Sequence, residues 1–167
     1  SSIPTSGNTT NLGQFAVGYG TQATGHVAFS AGQGTTASGT ASTALGYSTT
    51  ASGGYSTAMG EGSTASGSRS TAMGKSTTAS DFASVVIGQY NSSGSSVTNN
   101  ATVFNTANTA FVIGNGTSGS LSDAFKVMFN GDATVSNDLT VSGDVNVSSD
   151  ARLKANIASL GSTIAKL

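Results

Sequence analysis

The feature that most constrains this chain is a pattern with a strict period of 14, which runs between positions 16 and 88 without an insertion. Its marker column is glycine in every period: Gly18, Gly32, Gly46, Gly60, Gly74 and Gly88. Midway between successive markers lies a second column, which holds Gly25, Gly39, Gly53 and Gly67 and then Asp81. Spacing this regular predicts rungs that stack on one another.

The other columns of the repeat separate small residues from larger apolar ones. The small columns are Ala16, Ser30, Ala44, Ala58, Ala72 and Val86, and Ala23, Ala37, Ala51, Ala65, Ala79 and Ser93. We expect these residues to line a narrow interior. The larger columns are Val17, Ala31, Leu45, Met59, Met73 and Ile87, and Phe15, Phe29, Thr43, Thr57, Thr71 and Val85. We expect a second surface to cover them.

A period of 14 is too short, and too rich in Ser, Thr and Gly, for helical repeats. Two short strands and two turns per period fit, with residue i stacked on i+14, so the chain is predicted to be all-β and to form a parallel β-solenoid. Six rungs at roughly 4.8 Å each make a rod about 29 Å long. Because a core of Ala, Ser and Gly offsets little of the conformational entropy of ordering, we predict an obligate homo-oligomer.

Composition excludes several classes of function. Of the 167 residues only 8% are charged and the net charge is -1, which argues against a nucleic-acid partner or an anionic membrane surface. There is no cysteine and one histidine, His26, which is interpreted as a turn residue, so no metal site and no cofactor are expected. No apolar run approaches the roughly 20 residues that span a bilayer, so no direct membrane insertion is expected. The few acidic residues show no glycosidase-like pair, and the chain is not expected to be an enzyme.

The flanking segments follow other patterns. Residues 1–13 are interpreted as a lead-in, 14–90 as the solenoid head, and 91–122 as irregular rungs or a neck, because VVIGQY at 85–90 returns as FVIGNG at 111–116. Residues 123–149 begin with a strand-like alternation, a tight turn at 130–132 and an aspartate at every sixth position, which favours a β shaft of three chains. Residues 150–167 carry apolar residues spaced 4, 3, 4 and 3, which predicts the seam of a coiled-coil helix.

The run STALGYSTTASGGYSTAMGEGSTASGSRSTAMGKSTTAS resembles the head repeats of YadA-type trimeric autotransporter adhesins, which also occur on phage tail fibres. The resemblance covers about residues 14–90. It implies a homotrimer whose chains form a left-handed parallel β-roll.

A second resemblance lies at residues 148–157, SSDARLKANI, which are similar to the start of the self-cleaving intramolecular chaperone domain of phage tailspikes and fibres. That resemblance implies a cut between Ser149 and Asp150, with Ser149 as the nucleophile and Lys154 as the base. Cleavage would depend on a chaperone body beyond residue 167. The alternative interpretation of the same residues is a helix N-cap at Ser149 followed by exposed basic side chains.

The leading interpretation is a non-enzymatic trimeric fibre that binds a glycan or protein on a target cell, located outside the cell on a phage-like particle or a bacterial surface. The candidate contact residues are Tyr19, Tyr47, Tyr55 and Arg69. The alternatives are a fibre precursor matured by self-cleavage and an ice- or surface-binding solenoid. The latter rests on two neighbouring columns, Thr36, Thr50, Thr64 and Thr78, and Thr35, Thr49, Ser63 and Thr77.

Overall fold

The computed structural model describes residues 13–142. The chain divides into two compact units, Ser1–Asn137 and Asp138–Leu167. Of the second unit only residues 138–142 are described, and they have no regular secondary structure. Most of the predicted lead-in, the end of the predicted shaft and the predicted coiled coil therefore lie outside the described residues.

The repeating part folds as an all-β solenoid in which a five-residue strand alternates with a two-residue strand. Its strands are β1 (Phe15–Tyr19), β2 (Gln22–Ala23), β3 (Phe29–Gln33), β4 (Thr36–Ala37), β5 (Thr43–Tyr47), β6 (Thr50–Ala51), β7 (Thr57–Glu61), β8 (Thr64–Ala65), β9 (Thr71–Lys75), β10 (Thr78–Ala79) and β11 (Val85–Gln89). They make about five turns. Each strand pairs in parallel with the equivalent strand of the adjacent rung, as the alignment of Gly46 with Gly60 illustrates. The predicted stacking of residue i on i+14 is confirmed.

The five-residue strands build one side of the solenoid and the two-residue strands build the other. The first side belongs to a nine-stranded sheet, called here the long sheet, which includes three later strands, and the second is a five-stranded sheet, called the short sheet. Side chains alternate across the long sheet, so that Ala44 is fully buried between the sheets while Thr43 and Leu45 are only partly covered on the opposite face. The core consists mainly of two columns of alanines, one from each sheet, and the column of the long sheet ends in Val86 and Val112. The predicted narrow interior of small residues is confirmed.

Glycine is required in both marker columns because neighbouring rungs approach at the backbone. A Cβ added at Gly46 would overlap with the carbonyl oxygen of Gly60, and Gly46 has a φ of 115°. A Cβ added at Gly53 would overlap with the carbonyl oxygen of Gly67 in the same way. The sequence period is therefore a direct consequence of how closely the rungs stack.

After β11 the 14-residue repeat stops, and the chain rejoins the long sheet only with the next strand. Residues 90–108 form a loop, after which β12 (Thr109–Asn115) pairs in parallel with β11 so that Val85 aligns with Phe111. This register confirms the predicted return of the motif at 111–116. The intervening loop occupies the place where the next two-residue strand would lie.

The long sheet ends with an antiparallel hairpin. Strand β13 (Asp123–Met128) pairs with β12, and β14 (Ala133–Val135) pairs with β13. The predicted tight turn at 130–132 is confirmed: the Asp132 amide donates to the Asn130 side chain at 3.0 Å, and Gly131 has a φ of 94°. The first residues assigned to the shaft thus extend the long sheet, and the shaft itself stays a prediction.

Candidate binding surfaces

The face of the long sheet that points away from the core is mostly apolar, with threonine at positions 43, 57 and 71. We call it the outer face. Its residues are Phe15, Val17, Phe29, Ala31, Thr43, Leu45, Thr57, Met59, Thr71, Met73, Val85, Ile87, Phe111, Ile113, Phe125 and Val127. Phe15 and Val17 are 55% and 51% exposed, and the remainder from Ala31 onward are half-buried. A large, mostly apolar surface of this kind is typical of an interaction site. The bulky columns lie on this face and are only partly covered by the chain itself, so their cover by a second surface stays a prediction.

Two of the predicted contact residues, Tyr19 and Tyr47, lie in one column at the end of the five-residue strands. The register places Gln33 between them, so they are two rungs, or about 10 Å, apart. Both are exposed, at 81% and 52%. The next residues of the column are Glu61 and Lys75, whose charged groups pair at 3.4 Å. The two tyrosines therefore share a surface but do not touch.

The other two predicted contact residues, Tyr55 and Arg69, touch each other on a turn of the solenoid. The guanidinium carbon of Arg69 lies 5.1 Å from the centre of the Tyr55 ring and 5.3 Å from the centre of the Phe82 ring. Such contacts contribute roughly 0.5–1 kcal/mol at exposed sites. Phe82 was not among the predicted contact residues. It directly follows Asp81, which ends the second glycine column, and this position could have marked it as a candidate.

Tyr55 and Arg69 also have unusual backbone conformations. Both have a φ of 61°, and the same turn position is left-handed at Val27, Ala41 and Ala83. Residues other than glycine are uncommon there, and a β-branched residue such as Val27 is an outlier. The turn column presents side chains outward at the expense of backbone strain.

The two threonine columns do not form one surface. Thr35, Thr49, Ser63 and Thr77 are fully buried, and Thr35 bonds to Ser30 at 2.7 Å between their hydroxyl oxygens. Adjacent residues of a strand point to opposite faces, so only the column that contains Thr36 and Thr50 lies outward, where it is half-buried. The prediction of a two-column threonine surface is wrong for the column that contains Thr35 and Thr49, because that column is buried.

A polar cluster closes the C-terminal end of the short sheet. We call it the cap and define it by Asp81, Asn91 and Asn108, all of them buried. The Asp81 carboxylate accepts the amide protons of Thr98 and Thr109 at 2.6 and 2.7 Å. This cluster was missed in the sequence, although the replacement of glycine by Asp81 in its column is the signal that marks it.

The side chain of Asn91 forms the hydrogen bonds to β10 that the backbone of a further strand would otherwise form. Its Oδ1 accepts the Thr78 amide proton at 2.8 Å, and its Nδ2 donates to the Thr78 carbonyl at 2.9 Å. Asn108 pairs with the backbone of Asn100 in the same two-sided manner, at 2.8 and 2.6 Å. The last strand of the short sheet, β10, is therefore protected from pairing with another chain.

A polar groove of about 410 Å³ lies next to the cap, between the start of the 90–108 loop and the β13–β14 hairpin. Its lining includes Ser92, Asn115, Asp123, Lys126 and Asn137.

Within residues 13–142 no group of three or more acidic or histidine side chains is placed to hold a metal ion. The part of the chain that the structure describes also has no helix that is long and apolar enough to cross a membrane. His26 lies in a turn, as predicted, and the proposed cleavage residues Ser149 and Lys154 lie outside the described residues.

Comparison with known families places the repeat. The model of the YadA head domain repeat matches residues 28–49, 37–63, 51–77 and 65–91, all of which lie in or directly after the solenoid. Neither the curated proteins nor the solved structures that were searched yield a match to the chain. The solenoid of this protein is therefore built from YadA-like head repeats.

Proposed function

We propose that this protein is a non-enzymatic, homotrimeric adhesive fibre whose head binds a glycan or protein on a target cell. The observation that carries this proposal is the apolar outer face on a solenoid of YadA-like head repeats. The partly exposed Leu45, Met59 and Met73 lie in one line down that face, which fits a surface that other copies of the chain cover. No chemistry is required of the fibre, since its work is to hold a binding surface away from the particle or cell that carries it.

Self-association is supported by the small amount of apolar surface that the core of one chain buries. Apart from Val86 and Val112, every fully buried apolar side chain in the described residues is an alanine. Alanine removes little apolar area from water, whereas each ordered residue costs roughly 1–2 kcal/mol of backbone entropy. Covering the outer faces of three chains around a common axis would add the apolar burial that one chain lacks. We infer a left-handed β-roll for each chain on the same family resemblance.

Such heads are typically extracellular or exposed at a surface. We infer attachment either to a bacterial cell or to a phage-like particle as part of a tail fibre. Three identical binding faces would multiply a weak contact through effective concentration, with gains of roughly 10²–10⁴ where the geometry allows simultaneous binding. Adhesion by the trimer is therefore expected to greatly exceed that of a single chain.

The test compares two charged variants of the full chain in whole-cell binding. Met59→Glu places a carboxylate on the outer face, and we expect it to dissociate the trimer and to abolish adhesion. Ser52→Glu adds the same charge at an exposed position next to the short strand β6 and is the matched control. Equal adhesion by the two variants, or trimers formed by both, would contradict the proposal.

Self-cleavage is a second proposal, supported by the SDARLK sequence at residues 149–154. In a chain extended past Leu167, mass spectrometry is expected to find a product that ends at Ser149 and that is absent from the Ser149→Ala variant. An intact extended chain rules this step out. The ice-binding alternative keeps only the outward threonine column, and thermal hysteresis at micromolar protein would be needed to support it.

A further inference from the structure

The polar groove begins where the solenoid ends. Along the repeats, the inner face of the long sheet is covered by the short sheet. In the β13–β14 hairpin the same face continues from Val112 to Lys126 and Thr134, which lie side by side in register. Val112 is fully buried, Lys126 is half-buried and Thr134 is exposed. The inner face of the sheet therefore opens to solvent at this hairpin.

The floor of the groove is held in place by hydrogen bonds between distant segments. The two carboxylate oxygens of Asp123 accept the amide protons of Ser92 and Ser93, each at 2.8 Å. The Ser122 hydroxyl donates to Asn115 Oδ1 at 2.6 Å. These bonds tie the loop after β11 to the start of β13, so the groove is formed before any ligand arrives.

Several polar groups in the groove remain available. Lys126 Nζ, the Asn137 side-chain amide and Asn115 Nδ2 form no hydrogen bond to another residue within 13–142. Asp123 has about four lone-pair positions, of which two are used, so it can still accept hydrogen bonds. Leu121, which is 54% exposed, adds an apolar contact at the rim. The groove thus offers donors, acceptors and one apolar surface in a small space.

We propose that this groove binds one neutral sugar unit of a cell-surface glycan. The charges of Asp123 and Lys126 balance, which favours a ligand without net charge. Hydroxyl and amide groups match the alternating donors and acceptors of a sugar ring, and Leu121 matches its C–H face. The volume of about 410 Å³ lies in the range of roughly 300–1,000 Å³ typical of small-ligand sites.

This inference rests on the proposed adhesive function and names the site that would perform it. Lys126 and Thr134 lie on the face of the sheet opposite Phe125 and Val127, which belong to the outer face. Covering the outer face with other copies of the chain would leave the groove open on each of them. A trimer would then present three sugar sites, and their individual weakness would be compensated by avidity.

The test is a nuclear magnetic resonance titration of the full chain, labelled with ¹⁵N, with glucose, galactose, mannose and N-acetylglucosamine in turn. We expect at least one sugar to produce saturable shifts of the amide signals of Asn115, Lys126 and Asn137. Lys126→Ala is expected to weaken that binding about tenfold or more, because it removes a charged hydrogen-bond donor, and Asn137→Ala about two- to tenfold, because it removes a neutral one. Lys75→Ala, which removes a lysine from the solenoid, is the matched control and should leave the affinity unchanged.

Absence of saturable shifts with all four sugars overturns the proposal, and so do shifts confined to other residues. Equal affinity of the Lys126→Ala and Lys75→Ala variants overturns it as well. The adhesive function is measured separately, by binding of the trimer to whole cells. If both groove variants still adhere to cells, the groove is not the binding site, while the proposed adhesive function is retained. If the unmodified protein does not adhere to cells, the proposed adhesive function itself is wrong.

Discussion

The solenoid at 15–89 and the loop segment at 90–122 satisfy their backbone hydrogen-bonding groups in different ways. In the solenoid, each rung satisfies its backbone hydrogen bonds by pairing with the rungs on either side of it. In the loop segment, the side chains of Asn91 and Asn108 pair with backbone groups where a strand is missing. A repeat can be built from small side chains and backbone alone, but its end needs specific polar residues.

The two regions also differ in how a change of one residue is felt. Rung positions are defined by contact between backbones, so any added atom at a marker glycine meets a neighbour. The cap depends on single side chains, such as Asp81, that link residues far apart in sequence. Substitutions in the two regions should therefore differ in the size of their effect on stability.

The largest effect is expected at a marker glycine in the middle of the solenoid. Gly60→Ala places a Cβ against the carbonyl oxygen of Gly74 at a φ of 110°, and we expect it to destabilise the fold by about 4 kcal/mol or more. The measurement is the denaturant midpoint at fixed protein concentration. Gly54→Ala is the control, because a Cβ there meets nothing within 4 Å. Similar midpoints for the two variants would contradict the close-stacking explanation.

The next effect concerns the cap. Asp81→Ala removes the acceptor of two amide protons, one of them from the buried Thr109, and we expect a loss of about 3 kcal/mol. Hydrogen exchange at Thr98 and Thr109 should accelerate more than exchange in the strands of the solenoid. Asp132→Ala, in the exposed hairpin turn, should cost less than about 1 kcal/mol. Unchanged exchange at Thr98 and Thr109 would show that Asp81 does not hold the loop.

A substitution that stabilises the protein is expected at the left-handed turn column. Val27 is β-branched, is 47% exposed and has a φ of 50°, so Val27→Gly should relieve strain of about 1–2 kcal/mol. The greater freedom of glycine in the unfolded chain offsets about 0.4–1 kcal/mol of this gain. The net result is a rise in the free energy of unfolding of between about 0 and 1.6 kcal/mol. Ser52→Gly, at an exposed position without a positive φ, should lower stability, and a decrease in both variants would refute the strain argument.

The smallest effect is expected for the stack of Tyr55, Arg69 and Phe82. Arg69→Gln and Tyr55→Ala should each cost about 0.5–1 kcal/mol, and together less than their sum because they share one contact. A double-mutant cycle measures this coupling. The exposed Glu61–Lys75 pair provides a comparison in which coupling below about 0.5 kcal/mol is expected. Strict additivity at Tyr55 and Arg69 would mean that the stack contributes nothing.

Much of the solenoid can be predicted from the sequence because its register is set by local spacing. Repeated glycines, alanines and apolar residues specify which atoms meet, and the structure follows them from Phe15 to Gln89. The return of the chain at Phe111 was also visible, because the motif of β11 reappears there. The turn at 130–132 followed from its residue types alone.

The cap and the groove could not be predicted in the same way. The Thr109 amide donates to Asp81 across 28 positions of the sequence, and the amides of Ser92 and Ser93 donate to Asp123 across 31 and 30 positions. No period or composition links such pairs. Likewise, the alternation of strands decides that Thr35 is buried while Thr36 lies outward, which the presence of two threonine columns does not reveal.

If, as proposed, two further copies of the chain cover the outer face of the long sheet, the folded protein is a trimer. Sedimentation equilibrium of the full chain in dilute buffer tests this most directly. The account predicts a single species with three times the 16.2 kDa mass of one chain, and Met59→Glu should reduce that mass. A stable, folded species of 16.2 kDa that keeps the β-sheet spectrum of the intact protein would contradict it.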